Sequence, residues 1–568
     1  MRYLALATDY DGTIAENGRM PDEAVEAISR LRTSGRRAIL ATGRRLDDLL
    51  AVCPHVDLFD YIVAENGALV YSPRTREEVL LAKRPPARFV KRLKQLGVEF
   101  EIGRVIIATW LPHHTAVLQA IQETGLELVV IFNGAAVMVL PAGINKATGL
   151  DYALRKLGLS FHELVGIGDA SNDQSFLSRS ECSVAVANAA PALQEFVTFV
   201  TRASSGLGVA EVIDELIEDD LARTYAELRH HFIAIGSRAN EDIVAISPYG
   251  VNVLIAGPSG SGKSTATAGI VERLIEQDYQ VCIIDPEGDY GPSQGVVTLG
   301  DRHHAHGINE VFAILEDPKI NLNVNLLGIP LLDRPAFFGQ FFPSLQVLRT
   351  RTGRPHWVVF DEAHHLVSPE WGHLPDILPQ KFGETIWVTV HPDHLPPAIL
   401  SLMYVVIAVG PGPDETLKRF CDAIGQPLLW PGGLAYKAGH AVAWFVDNHE
   451  PPFSMSVIPT SSDRVRHRRK YAEGNMRYNS FYFRGPEERH NLKAQNLAIF
   501  SQLAEGIDEE TWLYHLRRGD YSSWFRSAIK DPYLADQTER IEQRANLGPE
   551  ETRKLIRNLI EARYTLPE

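Results

Sequence analysis

The sequence is 568 residues long, 45% hydrophobic and 22% charged, with a formal net charge of -15; this composition supports folded cores and excludes a disordered chain. Its length exceeds what one core organises, so three or four domains of roughly 100 to 200 residues are expected. The acidic balance does not support non-sequence-specific binding to nucleic acid by the chain as a whole, leaving DNA as a partner only through a local basic patch.

The four cysteines, Cys53, Cys182, Cys282 and Cys421, are widely separated and show no metal-ligand spacing, which argues against a disulfide framework or a zinc site. The N-terminus reads MRYLALATDYDG, with no basic segment leading into a long apolar one, and no apolar run reaches the ~18 residues of a membrane-spanning helix. A cytoplasmic protein without a membrane partner is expected.

Through residues 1–215, short apolar runs such as Leu4 to Thr8, Ala38 to Thr42 and Leu164 to Gly168 alternate with amphipathic stretches, the βαβ rhythm of a parallel sheet. Strand-like and helical segments at about 85–140 predict an inserted α+β cap. A helical linker is expected over 216–243. A second α/β series, 244–455, has apolar runs at Asn252 to Ala256, Val281 to Ile284, Trp357 to Phe360, Ile386 to Val390 and Val405 to Val409. Residues 475–568 read as a helical module. The fold class is therefore α/β, with a Rossmann-like parallel sheet and cap, a second α/β domain and a helical C-terminal module.

The first motif, Asp9-Tyr10-Asp11-Gly12-Thr13, puts two carboxylates two residues apart at a strand tip, a pair able to divide nucleophile and acid/base duties. A lone Asp-x-Asp-Gly is usually a solvated turn, but three further segments follow in order. Thr42, with Gly43 beside it, offers a hydroxyl at the next strand end; Lys146 can neutralise charge; and Gly168-Asp169-Ala170-Ser171-Asn172-Asp173 adds carboxylates of the hard kind that suits magnesium. These four segments resemble the haloacid dehalogenase superfamily of phosphatases. The cap together with Ala64-Glu65-Asn66-Gly67-Ala68 resembles its Cof-type, sugar-phosphatase-like branch. That resemblance implies Asp9 as the nucleophile forming an aspartyl-phosphate and Asp11 as the general acid and base. It also implies phosphate binding by Thr42, Gly43, Lys146 and Asn172, and Mg2+ held by Asp9, Asp11 through its backbone carbonyl, Asp169 and Asp173. In the cap, Arg104, His113, His114 and Asn133 are candidates for contacting the substrate.

The second motif, Gly257-Pro258-Ser259-Gly260-Ser261-Gly262-Lys263-Ser264-Thr265, follows a strand and opens a helix, the context in which G-x-x-x-x-G-K-S cradles phosphates. Gly257, Gly260 and Gly262 let backbone N–H groups face phosphate oxygens, Lys263 reaches the terminal phosphates of ATP, Ser264 ligates magnesium and Thr265 continues the loop into the helix. Asp361 and Glu362 end a later apolar strand, where Asp361 can hold magnesium through water and Glu362 can polarise the attacking water. With Asp285-Pro286-Glu287 and the segment leading to His391-Pro392, these motifs resemble the HerA/FtsK-like branch of P-loop ATPases, which implies a homo-oligomer, a hexamer in most of that branch. His391 stands where the branch commonly has glutamine, and no arginine finger can be assigned.

The C-terminal region holds a dense basic run, Arg464 to Lys470, and aromatic helical segments in which His515 and Asp520 are polar candidates among core-like Trp and Phe. The whole reads as a magnesium-dependent phosphatase acting on a small phosphorylated metabolite, expected to be a sugar phosphate, joined to an ATP-hydrolysing domain. The alternative is a nucleic-acid-processing motor carrying a nucleotide or end phosphatase.

Overall fold

The computed structural model describes the chain outside residues 223–230, 291–294, 368–381, 428–436, 438, 447–449, 459, 461–479, 530, 545–546 and 565–568. It forms two compact units, Met1–Ile458 and Pro459–Glu568.

The first unit opens with β1 (Ala5–Asp9), β2 (Arg37–Ala41), β3 (Tyr61–Ala64), β4 (Leu69–Ser72) and β5 (Glu77–Leu80). After an insertion carrying β6 (Glu101–Ile102), β7 (Ile107–Trp110), β8 (Leu128–Asn133) and β9 (Ala136–Pro141), the chain returns through β10 (Leu164–Gly168), β11 (Cys182–Ala185) and β12 (Phe199–Val200). The main sheet has the order β12-β11-β10-β1-β2-β3-β4-β5. It is parallel from β12 to β3, with β4 and β5 antiparallel. All five residues of β1 are buried, as a parallel strand covered on both faces requires. One covering helix, Asp22–Thr33, buries Ala24, Ala27, Ile28 and Leu31, places Asp22 and Glu23 in its first turn and ends with Arg30 and Arg32; its apolar spacing and its charges both favour the helix. The insertion is the expected α+β cap, a four-stranded sheet of order β6-β7-β9-β8 backed by helices Ala87–Gln95 and His114–Thr124.

The second sheet has eleven strands: β13 (Ile233–Ser237), β14 (Ile243–Ile246), β15 (Asn252–Ala256), β16 (Val281–Asp285), β17 (Val296–Leu299), β18 (Asn321–Asn325), β19 (Trp357–Phe360), β20 (Thr385–Thr389), β21 (Val405–Val409), β22 (His440–Phe445) and β23 (Phe453–Val457). Their order is β14-β13-β23-β22-β21-β15-β20-β19-β16-β18-β17. The segment from β21 to β17 is parallel, and the other four strands add antiparallel. The expectation of a helical linker over 216–243 needs correction. Helix Ser205–Asp219 ends early in that range, and residues 233–237 form an edge-region strand, because Ile233 and Ile235 alternate into the core with a period of two.

The two sheet domains of this unit meet through buried polar groups. The His162 ring stacks on Tyr279 at 3.7 Å and pairs with Glu181 and with the Gln277 carbonyl at 2.7 and 2.8 Å. The Arg354 guanidinium donates to the Gly158 carbonyl at 2.6 Å, and Arg2, paired with Glu181 at 2.7 Å, lies over the Tyr249 ring.

The second unit contains the hairpin of β24 (Phe481–Phe483) and β25 (Leu492–Ala494), then helices Leu497–Gly506, Glu509–Arg518, Asp520–Ser527, Pro532–Glu542 and Pro549–Tyr564. Trp512, Phe500, Tyr521 and Phe525 form its core. His515 pairs with Asp520 at 2.8 Å, and its other ring nitrogen accepts the Arg484 and Gly485 N–H groups, so both residues tie the hairpin to the helices. The basic run Arg464 to Lys470 lies outside the described residues. Among the described residues, no helix is long and apolar enough to cross a membrane. The four cysteines are buried, and none is in a disulfide.

Candidate active sites

The first site stands at the carboxyl ends of β1, β2 and β10, where open parallel sheets place their ligands. The registers Asp9↔Ala41 and Thr8↔Ile167 align these strand ends. Asp9 is 4% exposed. Lys146 Nζ donates to Asp9 Oδ1 at 2.5 Å and to Asp173 Oδ1 at 2.6 Å. The lysine is delivered by local structure: Asn145 caps helix Lys146–Lys156 by accepting the Thr148 N–H, and Thr148 returns the contact, which fixes the first helical turn.

Asp173 Oδ2 accepts the N–H groups of Asp169 and Ala170 at 3.1 and 3.0 Å, holding the acidic loop in a tight turn, and Asp169 accepts from Thr13 at 2.8 Å. Carboxylate oxygens of Asp9, Asp169 and Asp173 all lie within 4.8 Å of one another. Burial pushes the Asp9 carboxyl well above its usual range; Lys146 opposes this, while Asp173 and Asp169 push the same way. Three close carboxylates with a single lysine are the donor chemistry of a hard divalent cation, so the residues fit magnesium. At Gly12, with φ of +80°, an added Cβ would stand 2.4 Å from Asp169 Oδ2, so the turn that follows Asp11 favours glycine.

Thr42 is buried at the end of β2, where its hydroxyl accepts the Arg44 N–H. Gly43 lies against Asn66, and Asn66 receives the Asn172 amide at 3.3 Å. The sequence-named residues therefore converge on one site. Asp11 stands at its rim, clamped by the Arg44 guanidinium at 2.6 and 2.7 Å; this partner went unnoticed in the sequence because arginines in strand-end loops are common.

The cap candidates fare differently. The Arg104 guanidinium is engaged by Asp47 and Glu78, which ties the cap to the sheet domain. His113 stands just before helix His114–Thr124 without a side-chain capping hydrogen bond, and His114 packs edge-on to Phe132. Asn133 ends β8. The cap residue that reaches the site is Met138, whose sulfur accepts the Asn66 amide at 3.0 Å. Sequence reasoning missed it, as a methionine in an apolar strand carries no distinguishing signal. It also passed over Glu65, which is fully buried and accepts the backbone N–H groups of Arg104, Val105 and Ile106 at 2.7, 2.7 and 2.9 Å.

The second site stands at the carboxyl ends of β15, β19 and the intervening β20. Gly257, Gly260 and Gly262 all have positive φ, and an added Cβ at Gly257 would stand 1.9 Å from the Val409 carbonyl oxygen. The loop between β15 and helix Lys263–Glu276 thus needs its first glycine for close packing as well as for turning. Ser264 and Thr265 lie in the first turn of that helix. Lys263 Nζ donates to the Gly257 and Pro258 carbonyls at 3.0 and 3.1 Å, folded over the loop whose phosphate it would meet. Asp361, at the tip of β19, is buried, and burial, Asp285 and Glu362 all push its carboxyl up, as expected of a group that a cation would keep ionised. Glu362 adopts φ of +39° at the start of a short turn, a strained backbone of the kind that clusters at functional positions. His364 beside it is lowered to about 4, by burial and then by His365, His391 and His394.

A parallel sheet with an aspartate at the tip of a central strand, a lysine and an acidic loop around it and an inserted cap above defines a phosphoric monoester hydrolase, here joined to a P-loop domain. Residues 6–109 and 115–213 match the haloacid dehalogenase-like hydrolases, and residues 251–331 match the central domain of the helicase HerA. A phosphoglycolate phosphatase of Haloarcula marismortui is 31% identical over 217 residues, covering 37% of this chain and 95% of that protein. One from Methanothermobacter thermautotrophicus is 29% identical over 216 residues, covering 37% and 96%. A haloacid dehalogenase-like hydrolase structure from Bacteroides thetaiotaomicron aligns at 17% identity with a TM-score of 0.34, over 38% of this chain and 99% of that one. The chain belongs to the haloacid dehalogenase-like hydrolase family.

Proposed function

We propose that the N-terminal domain is a magnesium-dependent phosphatase that works through an aspartyl-phosphate on a small phosphorylated metabolite, and that the second domain binds and hydrolyses ATP. The observation that carries the first part is the single lysine bridging Asp9 and Asp173 among three carboxylates. Asp9, Asp169, Asp173 and the Asp11 carbonyl would hold Mg2+, which offsets charge on the phosphoryl group.

Asp9 attacks phosphorus, and the P–O bond to the leaving alcohol breaks. Asp11 gives that oxygen its proton, then takes a proton from the water that hydrolyses the acyl phosphate. Thr42, the Gly43 backbone, Lys146 and Asn172 hold the phosphate oxygens. Arg44 parks Asp11 in the geometry described, so Asp11 leaves that pair when it serves as acid.

The similarity to phosphoglycolate phosphatases makes a phosphorylated 2-hydroxy acid a substrate to set beside sugar phosphates. For the second domain, Gly257, Gly260, Gly262, Lys263, Ser264 and Thr265 would hold the ATP phosphates with their magnesium, Asp361 the metal-bound water and Glu362 the attacking one. Phosphate release from 2-phosphoglycolate, a panel of sugar phosphates, nucleotides and ATP, by the protein and its Asp9→Asn and Lys263→Ala variants, tests both assignments. Each variant should silence one activity and spare the other. Loss of both together, or of neither, would overturn the reading.

A further inference from the structure

β19 and β20 are parallel neighbours, and each ends in a short turn that carries histidines, Ala363–His365 after β19 and Pro392–His394 after β20. Four imidazoles collect at this corner of the sheet. The His391 and His394 rings stack at 4.6 Å, the His364 and His365 rings lie 4.1 Å apart, and His364 lies 6.1 Å from His391. Neither active-site reading assigns a role to His391 or His394, although His364, 6.1 Å from His391, lies 3.4 Å from Glu362.

We propose that His391, Asp393 and His394 bind a divalent transition-metal ion of the zinc, cobalt and nickel class, beside the proposed ATPase site and through a donor set that shares no residue with the magnesium ligands of either active site. One potential ligand atom from each of the three residues lies within 4.8 Å of the others. A tetrahedral ion with ~2.0–2.1 Å bonds to imidazole nitrogen draws them closer by side-chain rotation, which the half-buried His391 and exposed Asp393 and His394 have room to make.

The turn prepares the set. Pro392 restricts the backbone between the first two ligands, and the His394 N–H is held by the His391 carbonyl at 3.1 Å, so three donors within four residues lose little chain entropy on binding. Among the described residues, the two ring systems and the Asp393 carboxylate make no hydrogen bond that a metal would have to break.

The donor chemistry separates this site from the other such cluster among the described residues. Asp9, Asp169 and Asp173 offer only oxygen and favour a hard ion, whereas two imidazoles and a carboxylate favour a borderline one. Three protein ligands leave a coordination position for water or a phosphate oxygen.

The test uses the full-length, tag-free protein with excess magnesium present to fill the hard-cation sites, titrated with Co2+ and followed by its visible d–d absorption and by bound-metal analysis. The expected result is one equivalent of Co2+ with the intense visible bands of a nitrogen-ligated, low-coordinate ion. These bands should disappear in the His391→Ala/His394→Ala double variant, weaken in Asp393→Asn and persist in Asp169→Asn. Thermal unfolding unchanged from that of the parent protein shows that the exposed-turn variants remain folded. Absence of the bands in the unaltered protein, their survival in the double variant, or their loss in Asp169→Asn would each overturn the proposal.

Discussion

His356 Nε2 lies 2.6 Å from Glu163 Oε1 in the buried contact between the two sheet domains. Glu163 immediately precedes β10, whose far end leads into Asp169 and Asp173, and His356 immediately precedes β19, whose far end leads into Asp361 and Glu362. Each acidic motif therefore stands one strand length from the shared pair, five residues along β10 and four along β19, or about 13–17 Å at ~3.3 Å per residue. Burial raises the Glu163 carboxyl, but His356 outweighs that and holds it below its usual range, while burial pushes the His356 imidazole below its own ordinary value; His356 Nδ1 accepts the Gln280 N–H at 2.7 Å, so the pair is a neutral imidazole donating to a buried carboxylate.

Removing one partner leaves the other buried and uncompensated. Glu163→Gln and His356→Leu should each destabilise the first unit by roughly 1–3 kcal/mol, whereas Glu163→Leu/His356→Leu should cost less than the sum of the single changes. Urea unfolding followed by tryptophan fluorescence measures this. Single-variant costs below about 0.5 kcal/mol would show that the pair does not hold the domains together.

A pH dependence follows from the neighbouring pair. Burial opposes the charged His162 imidazole, but Glu181 outweighs it and raises His162 above its ordinary value. Glu181, which burial alone would raise, is brought down to about 2 by His162, His231 and Arg2. The His162 contribution is fully present below its unfolded value of about 6.5 and fades as pH climbs through the raised folded value. The Glu181 contribution is present above its unfolded value, about 4.3, and fades as pH falls toward 2. The stability difference between the parent protein and His162→Gln should be largest near pH 5–6 and shrink toward pH 9. A difference that grows with pH contradicts the charged-pair assignment.

Much of both sites was legible before the fold because the chemistry needs particular residue types at strand ends, and βαβ repetition brings those ends together whatever lies between. Asp9 and Asp173 meet for that reason, and Lys146 joins them from the first turn of the helix that follows the cap. Contacts set by tertiary pairing were not legible: Glu163 and His356 are 193 positions apart, and neither sits in a motif. Arg104 was named for substrate on charge alone, and the fold spends it on Asp47 and Glu78. β13 was hidden in a region whose preceding acidic helix dominated its pattern.

For the phosphatase, Asp9→Asn should abolish turnover and covalent labelling by a phosphorylated substrate in acid-quenched samples. Asp11→Asn should keep Asp9 intact yet cut turnover by about 10²–10⁴-fold, the usual worth of a general acid or base. Rapid-quench measurements on both variants check the division of labour; covalent label in Asp9→Asn would move the nucleophile elsewhere.

For the ATPase, Lys263→Ala should lose ATP binding, while Glu362→Gln should bind ATP and hydrolyse it about 10²–10⁴-fold more slowly. Equilibrium binding of a fluorescent ATP analogue, set beside steady-state hydrolysis, separates the two effects. Hydrolysis at the parent rate in Glu362→Gln would remove that residue from the mechanism.

The last prediction concerns the cap. Glu65 sits beside Asn66, which touches the Asn172 amide and Met138, and its carboxylate gathers three successive backbone N–H groups at the base of β7. At Gly103, an added Cβ would stand 2.4 Å from Glu65 Oε1, so the cap's connecting turn is moulded on this carboxylate. In Glu65→Gln the amide nitrogen is a donor facing donors, and at least one buried N–H loses its acceptor, at a cost of roughly 1–3 kcal/mol. The damage falls on cap placement, while Asp9, Lys146 and Asp173 keep their contacts. Glu65→Gln should therefore raise KM for the phosphorylated substrate more than it lowers kcat, and should leave ATP hydrolysis unchanged. Steady-state kinetics of both activities decide it: an unchanged KM would mean that the cap is positioned by the Arg104–Asp47 and Arg104–Glu78 pairs alone.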